Sequence, residues 1–299
     1  MITNSHQHKL GFIAVGPQRT GSTWLHQVLG NHPDLALPSK IKETMFFDKY
    51  YHKGSSWLFS HYQDKSDRQI LGEIAPTYFD SEIALNRIKS DHPDCKIVIN
   101  VRNPIDHAYS MYQHELSKGR IRGTFADVLQ RHPEKILTSR YAKWVPIWQQ
   151  SFGDGDVCLV WMDEIENQPQ LAHKKVCEFL GISADHYAPA EGARKVNASK
   201  QARFPAITRF GVLVYHFLRE YRLHAVINFC KRINLHKITF GSVKKPENSQ
   251  LTPSEFSTLV TICSDDIAFL ERLSNQDLSH WRKPDSKFAV AQMDSPDDD

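Results

Sequence analysis

The segment Gly16-Pro-Gln-Arg-Thr-Gly21-Ser22-Thr23 gathers the residue types a chain uses to hold a phosphate: glycines at the two ends of the turn, a cation at Arg19 and two adjacent hydroxyls. Its glycine spacing is that of GxxxxGK[ST], in which backbone N–H groups and a helix N-terminus face anionic oxygens. Ser22 stands at the lysine position, leaving Arg19 as the loop's only cation. That lysine normally reaches the terminal phosphates of a nucleoside triphosphate. Its absence, together with no obvious Mg²⁺ carboxylate ending a strand, disfavours triphosphate hydrolysis. Glycines alone could mark a plain turn. Here an apolar run, Leu10 to Val15, precedes them and the helical spacing of Trp24 to Leu29 follows, which is the strand–loop–helix context a phosphate loop needs.

Two further segments carry candidate chemistry. In Ile97-Val-Ile-Asn-Val-Arg102-Asn-Pro104-Ile-Asp-His107-Ala-Tyr-Ser110, an apolar strand ends at Arg102 and Pro104 presets the first turn of a helix. Ser110 lies two helical turns along, and a guanidinium with a hydroxyl can form a second anion pocket; alone, Arg102 could equally be a structural ion-pair residue. In Lys40-Ile-Lys42-Glu43-Thr-Met45-Phe46-Phe47-Asp48, a carboxylate precedes an aromatic pair. Partial desolvation would raise its pKa toward that of a useful base, although a solvated helix-end glutamate beside a two-Phe core contact has the same pattern.

Short apolar runs must position these groups. They predict strands at 10–15, 34–37, 70–74, 96–101 and 156–161, alternating with helices at 22–30, 39–50, 81–91, 104–118, 140–151 and 168–180. Strands apolar nearly throughout, such as 96–101, are those covered on both faces. Alternation of this kind predicts an α/β fold with a central, mainly parallel sheet, joined by right-handed crossovers, whose ligands sit beyond the carboxyl ends of the strands. From about 195 the pattern becomes mostly helical, with 205–235 and 253–273 the longest candidates. The expected organisation is one domain over 1–284, with 196–284 a helical extension and 285–299 a disordered acidic tail.

The 299 residues carry enough apolar content for a substantial core, and the net charge is +3. Because five aspartates lie in the tail from Asp285, the body is more basic than that total, which suits an anionic ligand. Cys95, Cys158, Cys177, Cys230 and Cys263 are scattered singly, predicting reduced core thiols and neither a zinc site nor a disulfide framework. The first residues lack a signal-peptide apolar core, and the most membrane-like stretch, 210–229, is interrupted by Arg219, Glu220 and Arg222. A cytoplasmic protein is expected, without a transmembrane segment or a nucleic-acid partner. The basic, aromatic stretch 204–235 leaves core packing, an acceptor wall, a dimer face or a peripheral membrane contact open.

Taken together, the segments resemble the sulfotransferase superfamily, and within it bacterial sulfotransferases and the heparan sulfate O-sulfotransferase branch. PQRTGSTWL is similar to the family's 5′-phosphosulfate loop, VRNPIDHAYSMY to its 3′-phosphate segment, and KETMFFD to the segment bearing the catalytic glutamate. GEIAPTYF resembles a further family block, and 161–169 with 176–181 echo a strand, acidic turn and FLG helix. The resemblance implies a P-loop-like three-layer sandwich that binds 3′-phosphoadenosine 5′-phosphosulfate without metal and releases adenosine 3′,5′-bisphosphate. It implies that Pro17, Gln18, Arg19, Thr20, Gly21, Ser22, Thr23 and Trp24 surround the 5′-phosphosulfate, that Arg102 and Ser110 hold the 3′-phosphate, and that Glu43 is the general base with Arg19 assisting. Lys244 and Lys245 are similar to a basic loop over the cofactor, an exposed basic turn being the alternative. Three departures stand out: Arg19 replaces a lysine, Ile74 stands where the heparan branch has a lysine near the sulfate, and Met45 replaces a common histidine. The implied reaction moves a sulfuryl group to a hydroxyl of a saccharide, glycolipid or secondary metabolite. If Glu43 is not the base, His26 or His107 becomes the alternative. A divergent P-loop kinase or nucleotide hydrolase, and a nucleotide-binding protein without turnover, remain competing readings.

Overall fold

A computed structural model describes residues 9–62, 66, 69–189 and 251–284. The chain divides into two compact units, one of Met1–Arg102 with Lys143–Ala198 and the other of Asn103–Ala142 with Ser199–Asp299.

The first unit is built on a five-stranded sheet of β1 (Phe12–Ala14), β2 (Leu35–Ala36), β3 (Ile70–Ile74), β4 (Lys96–Val101) and β5 (Val157–Trp161). The strand order is β2-β3-β1-β4-β5, and every pairing is parallel. Phe12 faces Gly72 on one side and Lys96 on the other, so β1 is central. The fold class is the α/β parallel sheet that the apolar runs predict, with each strand trimmed to its paired residues. All three residues of β1 are buried, as are the five that follow Lys96 in β4.

Flanking helices are α1 (Ser22–Leu29), α2 (Ser55–Phe59), α3 (Glu82–Asp91), α7 (Met162–Asn167) and α8 (Pro169–Leu180); α6 (Tyr141–Phe152) spans the division between the units. Trp24, Leu25, Val28 and Leu29 form the apolar stripe of α1, and they pack with Phe12, Ala14, Val98 and Val160 of the sheet and Val176 and Leu180 of α8. Each fully buried side chain of this size contributes about 1.5–3 kcal/mol. The chain runs from β1 out to the edge at β2, returns through β3, and crosses to β4 on the other side of β1. That reversal opens a crevice at the carboxyl ends of β1 and β4, where parallel sheets receive ligands.

The second unit contains α4 (Pro104–Ser117), α5 (Phe125–Arg131), α9 (Pro253–Ile262) and α10 (Ser264–Ser274). Asn103 caps α4 by accepting from Ile105 N at 2.9 Å, with Pro104 in the first turn. Glu255 Oε1 accepts from Ala126 N at 3.2 Å, tying α9 to α5. The helix expected over 253–273 is two helices, broken at Cys263. No described helix is long and apolar enough to cross a membrane.

The helix expected over 39–50 does not form. Met45 is left-handed, at φ 55°, and only a π-helical turn at Phe46–Tyr50 and a 3₁₀ turn at Tyr51–Lys53 follow. The apolar residues Phe46, Phe47 and Tyr50 are buried as a helix face would be, but the chain reaches them from a bend held by Thr44. Cys95, Cys158, Cys177 and Cys263 are buried free thiols, and burial pushes Cys158 and Cys177 up to about 11, which leaves them protonated and unreactive. The stretch 205–235 and the tail 285–299 lie outside the described residues, as does Cys230.

Candidate active site

The loop after β1 is shaped by close backbone approach. Val15 N donates to Val98 O at 2.9 Å, carrying the chain off the sheet alongside β4. A Cβ on Gly16 would stand 2.3 Å from Asn100 N, so only glycine lets the loop lie on that strand. Arg19 and Gly21 both occupy the left-handed region, at φ 68° and 104°. Thr20 between them is wholly buried, its hydroxyl donating to Pro17 O at 2.5 Å and closing the turn. The helix α1 then begins at Ser22 with no side-chain cap. Its first N–H groups and the positive end of its dipole therefore face outward with the hydroxyls of Ser22 and Thr23, as an anion site requires.

Cations surround this helix end. Arg102, at the end of β4, donates from Nη1 to Arg19 O at 3.0 Å. Burial, and then the charge of Arg102, lowers the Arg19 pKa, so the two guanidiniums repel each other. Asn100 is 1 % exposed, and its Nδ2 has no hydrogen-bond partner among the described residues. This orphaned donor lies 3.5 Å from where a Gly21 Cβ would be, directly under the loop. An unsatisfied donor, an uncapped helix and two repelling cations all fit a multiply charged phosphate ester.

A third cation, Lys42, enters from the segment after β2. Its Nζ lies 3.1 Å from Thr23 Oγ1, 3.4 Å from Ser22 Oγ and 3.7 Å from Glu43 Oε1. Burial lowers the Lys42 pKa, with the Glu43 charge opposing. Glu43 itself is anchored through its neighbour. Glu73, wholly buried on β3, accepts from Thr44 N at 2.8 Å, from the Thr44 hydroxyl, and from Tyr78 OH at 3.3 Å. Arg87 donates to Phe47 O at 2.7 Å while covering the Tyr51 ring, pinning the far side of the same segment. A carboxylate, an ammonium and the loop hydroxyls thus stand together at one end of the sheet.

Arg19, Ser22, Thr23, Arg102 and Glu43 all belong to this cluster, with Pro17 buried and Gln18 half-buried at the loop's start. Trp24 belongs to the apolar core, leaving its backbone N–H as the part that can face a ligand. Ser110 lies in α4 of the second unit, 8 % exposed. Lys244 and Lys245 lie outside the described residues. Of the alternative bases, His107 is wholly buried in α4, and His26 on α1 is held toward its neutral form by burial and then by Lys42. Ile74 is part of the core around α1. Lys42, Glu73 and Asn100 were not singled out from the sequence. The available signals were a lysine directly before the candidate base, and polar residues inside the apolar runs ILGEI and KIVINV.

A family model described as the sulfotransferase domain matches residues 11–209. The chain is 31 % identical over 193 residues to the human bifunctional heparan sulfate N-deacetylase/N-sulfotransferase 2, covering 58 % of this chain and 22 % of that protein. It is 31 % identical over 205 residues to the mouse bifunctional heparan sulfate N-deacetylase/N-sulfotransferase 4, covering 62 % and 23 %. The chain therefore spans less than a quarter of the length of these relatives. A crystal structure of a sulfotransferase from Alicyclobacillus acidocaldarius superposes with a TM-score of 0.63 at 21 % identity, over 92 % of this chain and 100 % of that one, which is a likeness of fold. The family match extends over about two thirds of the sequence and includes the glycine loop, Glu43 and Arg102, so the chain belongs to the sulfotransferase family of enzymes.

Proposed function

We propose that this protein transfers the sulfuryl group of 3′-phosphoadenosine 5′-phosphosulfate to an acceptor hydroxyl, with Glu43 as general base. The observation that carries the reading is the Glu43 carboxylate held by way of Lys42 beside the hydroxyls of an uncapped phosphate loop. In the reaction the acceptor oxygen attacks sulfur in line, and the bond between sulfur and the bridging phosphate oxygen breaks. The acceptor proton passes to Glu43, and adenosine 3′,5′-bisphosphate leaves. Arg19 and the N–H groups at the start of α1 stabilise the charge that collects on the departing phosphate oxygen. Arg102, at the end of β4, binds the 3′-phosphate.

Residues 1–284 act as one catalytic domain in this reading. The acceptor is a saccharide, a glycolipid or a secondary metabolite. The names of the heparan sulfate N-sulfotransferase relatives favour a second reading, in which the acceptor is an amine; the same carboxylate would take its proton. A transfer assay with labelled phosphosulfate donor against a panel of hydroxyl and amine acceptors, read by product mass, separates the two. In the same assay Glu43→Gln is expected to lower turnover about 100- to 10,000-fold, the usual range for a lost general base. Affinity for adenosine 3′,5′-bisphosphate should change little, and a variant turning over at the native rate would remove Glu43 from the role.

A further inference from the structure

We propose that Lys42 supplies, from outside the loop, the ammonium that the phosphate loop lacks at Ser22, and that its Nζ binds the non-bridging oxygens of the transferring sulfuryl group. This inference rests on the phosphosulfate reading above, which uses Lys42 only to hold Glu43.

The loop keeps the glycines and, at Thr23, the hydroxyl of a phosphate loop but has Ser22 where a lysine would reach the terminal group of the ligand. An ammonium is nevertheless present. Lys42 Nζ stands within hydrogen-bond distance of Thr23 Oγ1 and near Ser22 Oγ, although it arises twenty residues later in the chain. An anionic oxygen bound by those hydroxyls would fall within reach of the same nitrogen. An ammonium carries three donors, here turned toward Thr23, Ser22 and Glu43, and an anionic oxygen arriving at the loop would take over the one on the longer Ser22 contact. The side chain is two-thirds shielded from solvent, and Ser22 and Thr23 are half-buried around it. A point charge in such surroundings acts more strongly than one in open water.

Position along the reaction axis separates Lys42 from the arginines. Arg19 lies within the loop and Arg102 reaches its backbone, so both belong to the phosphate side. The base must stand on the opposite side of the sulfur, beside the incoming acceptor, for displacement in line. Lys42 lies between the two, touching the loop hydroxyls and standing 3.7 Å from Glu43 Oε1. The group between leaving phosphate and incoming acceptor is the sulfuryl. A cation there neutralises the three sulfuryl oxygens as the bond to phosphate lengthens, and holds Glu43 toward the acceptor.

The test compares two nucleotides that differ only by the sulfuryl group. Titration calorimetry with 3′-phosphoadenosine 5′-phosphosulfate and with adenosine 3′,5′-bisphosphate is run on the native chain, on Lys42→Met and on Lys42→Arg. Lys42→Met should weaken the phosphosulfate about tenfold and the bisphosphate less than about twofold, while Lys42→Arg should restore most of the phosphosulfate affinity. With an acceptor from the transfer panel, Lys42→Met should also lower kcat about 100-fold, the size of effect seen when one donor to a developing charge is removed. Equal weakening of both nucleotides would make Lys42 a mere support of the loop, and no weakening of either would remove it from the site. Both results overturn the proposal. A native chain that binds neither nucleotide fails at the phosphosulfate reading itself, which is a separate and recognisable outcome. Thermal unfolding of each variant, compared with Lys42→Arg, shows whether lost affinity reflects lost fold.

Discussion

Arg19 and Arg102 are held together at a cost: one donates to the other's carbonyl at 3.0 Å, and their charges oppose each other. Arg19 adds backbone strain, since a non-glycine residue at φ 68° lies in a region that L-residues seldom occupy. Such a pair is preorganised for an anion that repays both terms on binding. Replacing Arg102 by Gln should weaken adenosine 3′,5′-bisphosphate about 10- to 100-fold, the worth of a charge-assisted hydrogen bond to phosphate. It should also flatten the salt dependence of binding, because one fewer charge pair is screened. Calorimetry at two salt concentrations measures both effects, and an unchanged affinity would place Arg102 in a structural role alone. Arg19, Ser22 and Thr23 were legible in the sequence because a phosphate loop is contiguous and its spacing carries its chemistry. Lys42 was not, because its partners are the hydroxyls of a loop twenty residues earlier, and no local pattern reports a contact made across a fold.

The elements that carry the site depend on glycines at backbone contacts. Gly72 on β3 lies opposite Phe12 of β1, and a Cβ there would meet the Phe12 ring at 1.9 Å. The ring is wholly buried in the central strand, and cannot move aside without disturbing the core that positions α1. Gly72→Ala is expected to destabilise the protein by roughly 2–4 kcal/mol through overpacking of this strand pair. Gly155, where a Cβ would meet nothing within 4 Å, provides the contrast: Gly155→Ala should be near neutral. Denaturant midpoints of the two variants decide the point, and similar losses would mean that Phe12 can repack. Strands such as Lys96–Val101 were readable because burial on both faces leaves a continuous apolar run. The segment 39–50 misled for a related reason: Phe46, Phe47 and Tyr50 have helix-like apolar spacing, but the conformation is dictated by Glu73 gripping Thr44. A buried carboxylate thirty residues away overrides local propensity, and that same override fixes where Glu43 stands. The helices α2, α5 and α7 are too short for their periodicity to register.

At the scale of the molecule, several titratable groups are buried with opposing effects on stability. Burial, partly offset by Asp91 and reinforced by Lys9, lowers His92 to about 4. Its ring lies edge-on to Phe47 and Phe59, and its Nδ1 accepts from Leu10 N at 3.4 Å, a bond only the neutral ring can make. In the unfolded chain the same imidazole protonates near 6.5. Above that pH both states are neutral and His92 costs nothing. As pH falls below it, the unfolded chain takes up a proton that the native chain refuses, so stability is lost progressively until the native pKa is reached at about 4. His173 and His26 are lowered in the same sense by burial. Asp48, Asp80 and Asp266 are raised by burial and act oppositely, favouring the native state as they protonate. Comparing the native chain with His92→Gln cancels these shared contributions, and a glutamine carbonyl can still accept from Leu10 N. Between pH 7 and pH 5 the native chain should lose roughly 1–2 kcal/mol more than the variant, allowing for partial solvent access to the ring. Urea midpoints at the two pH values measure that difference. Parallel losses in the two proteins would show that His92 titrates alike folded and unfolded, and would shift the acid sensitivity of this fold to His173 and His26.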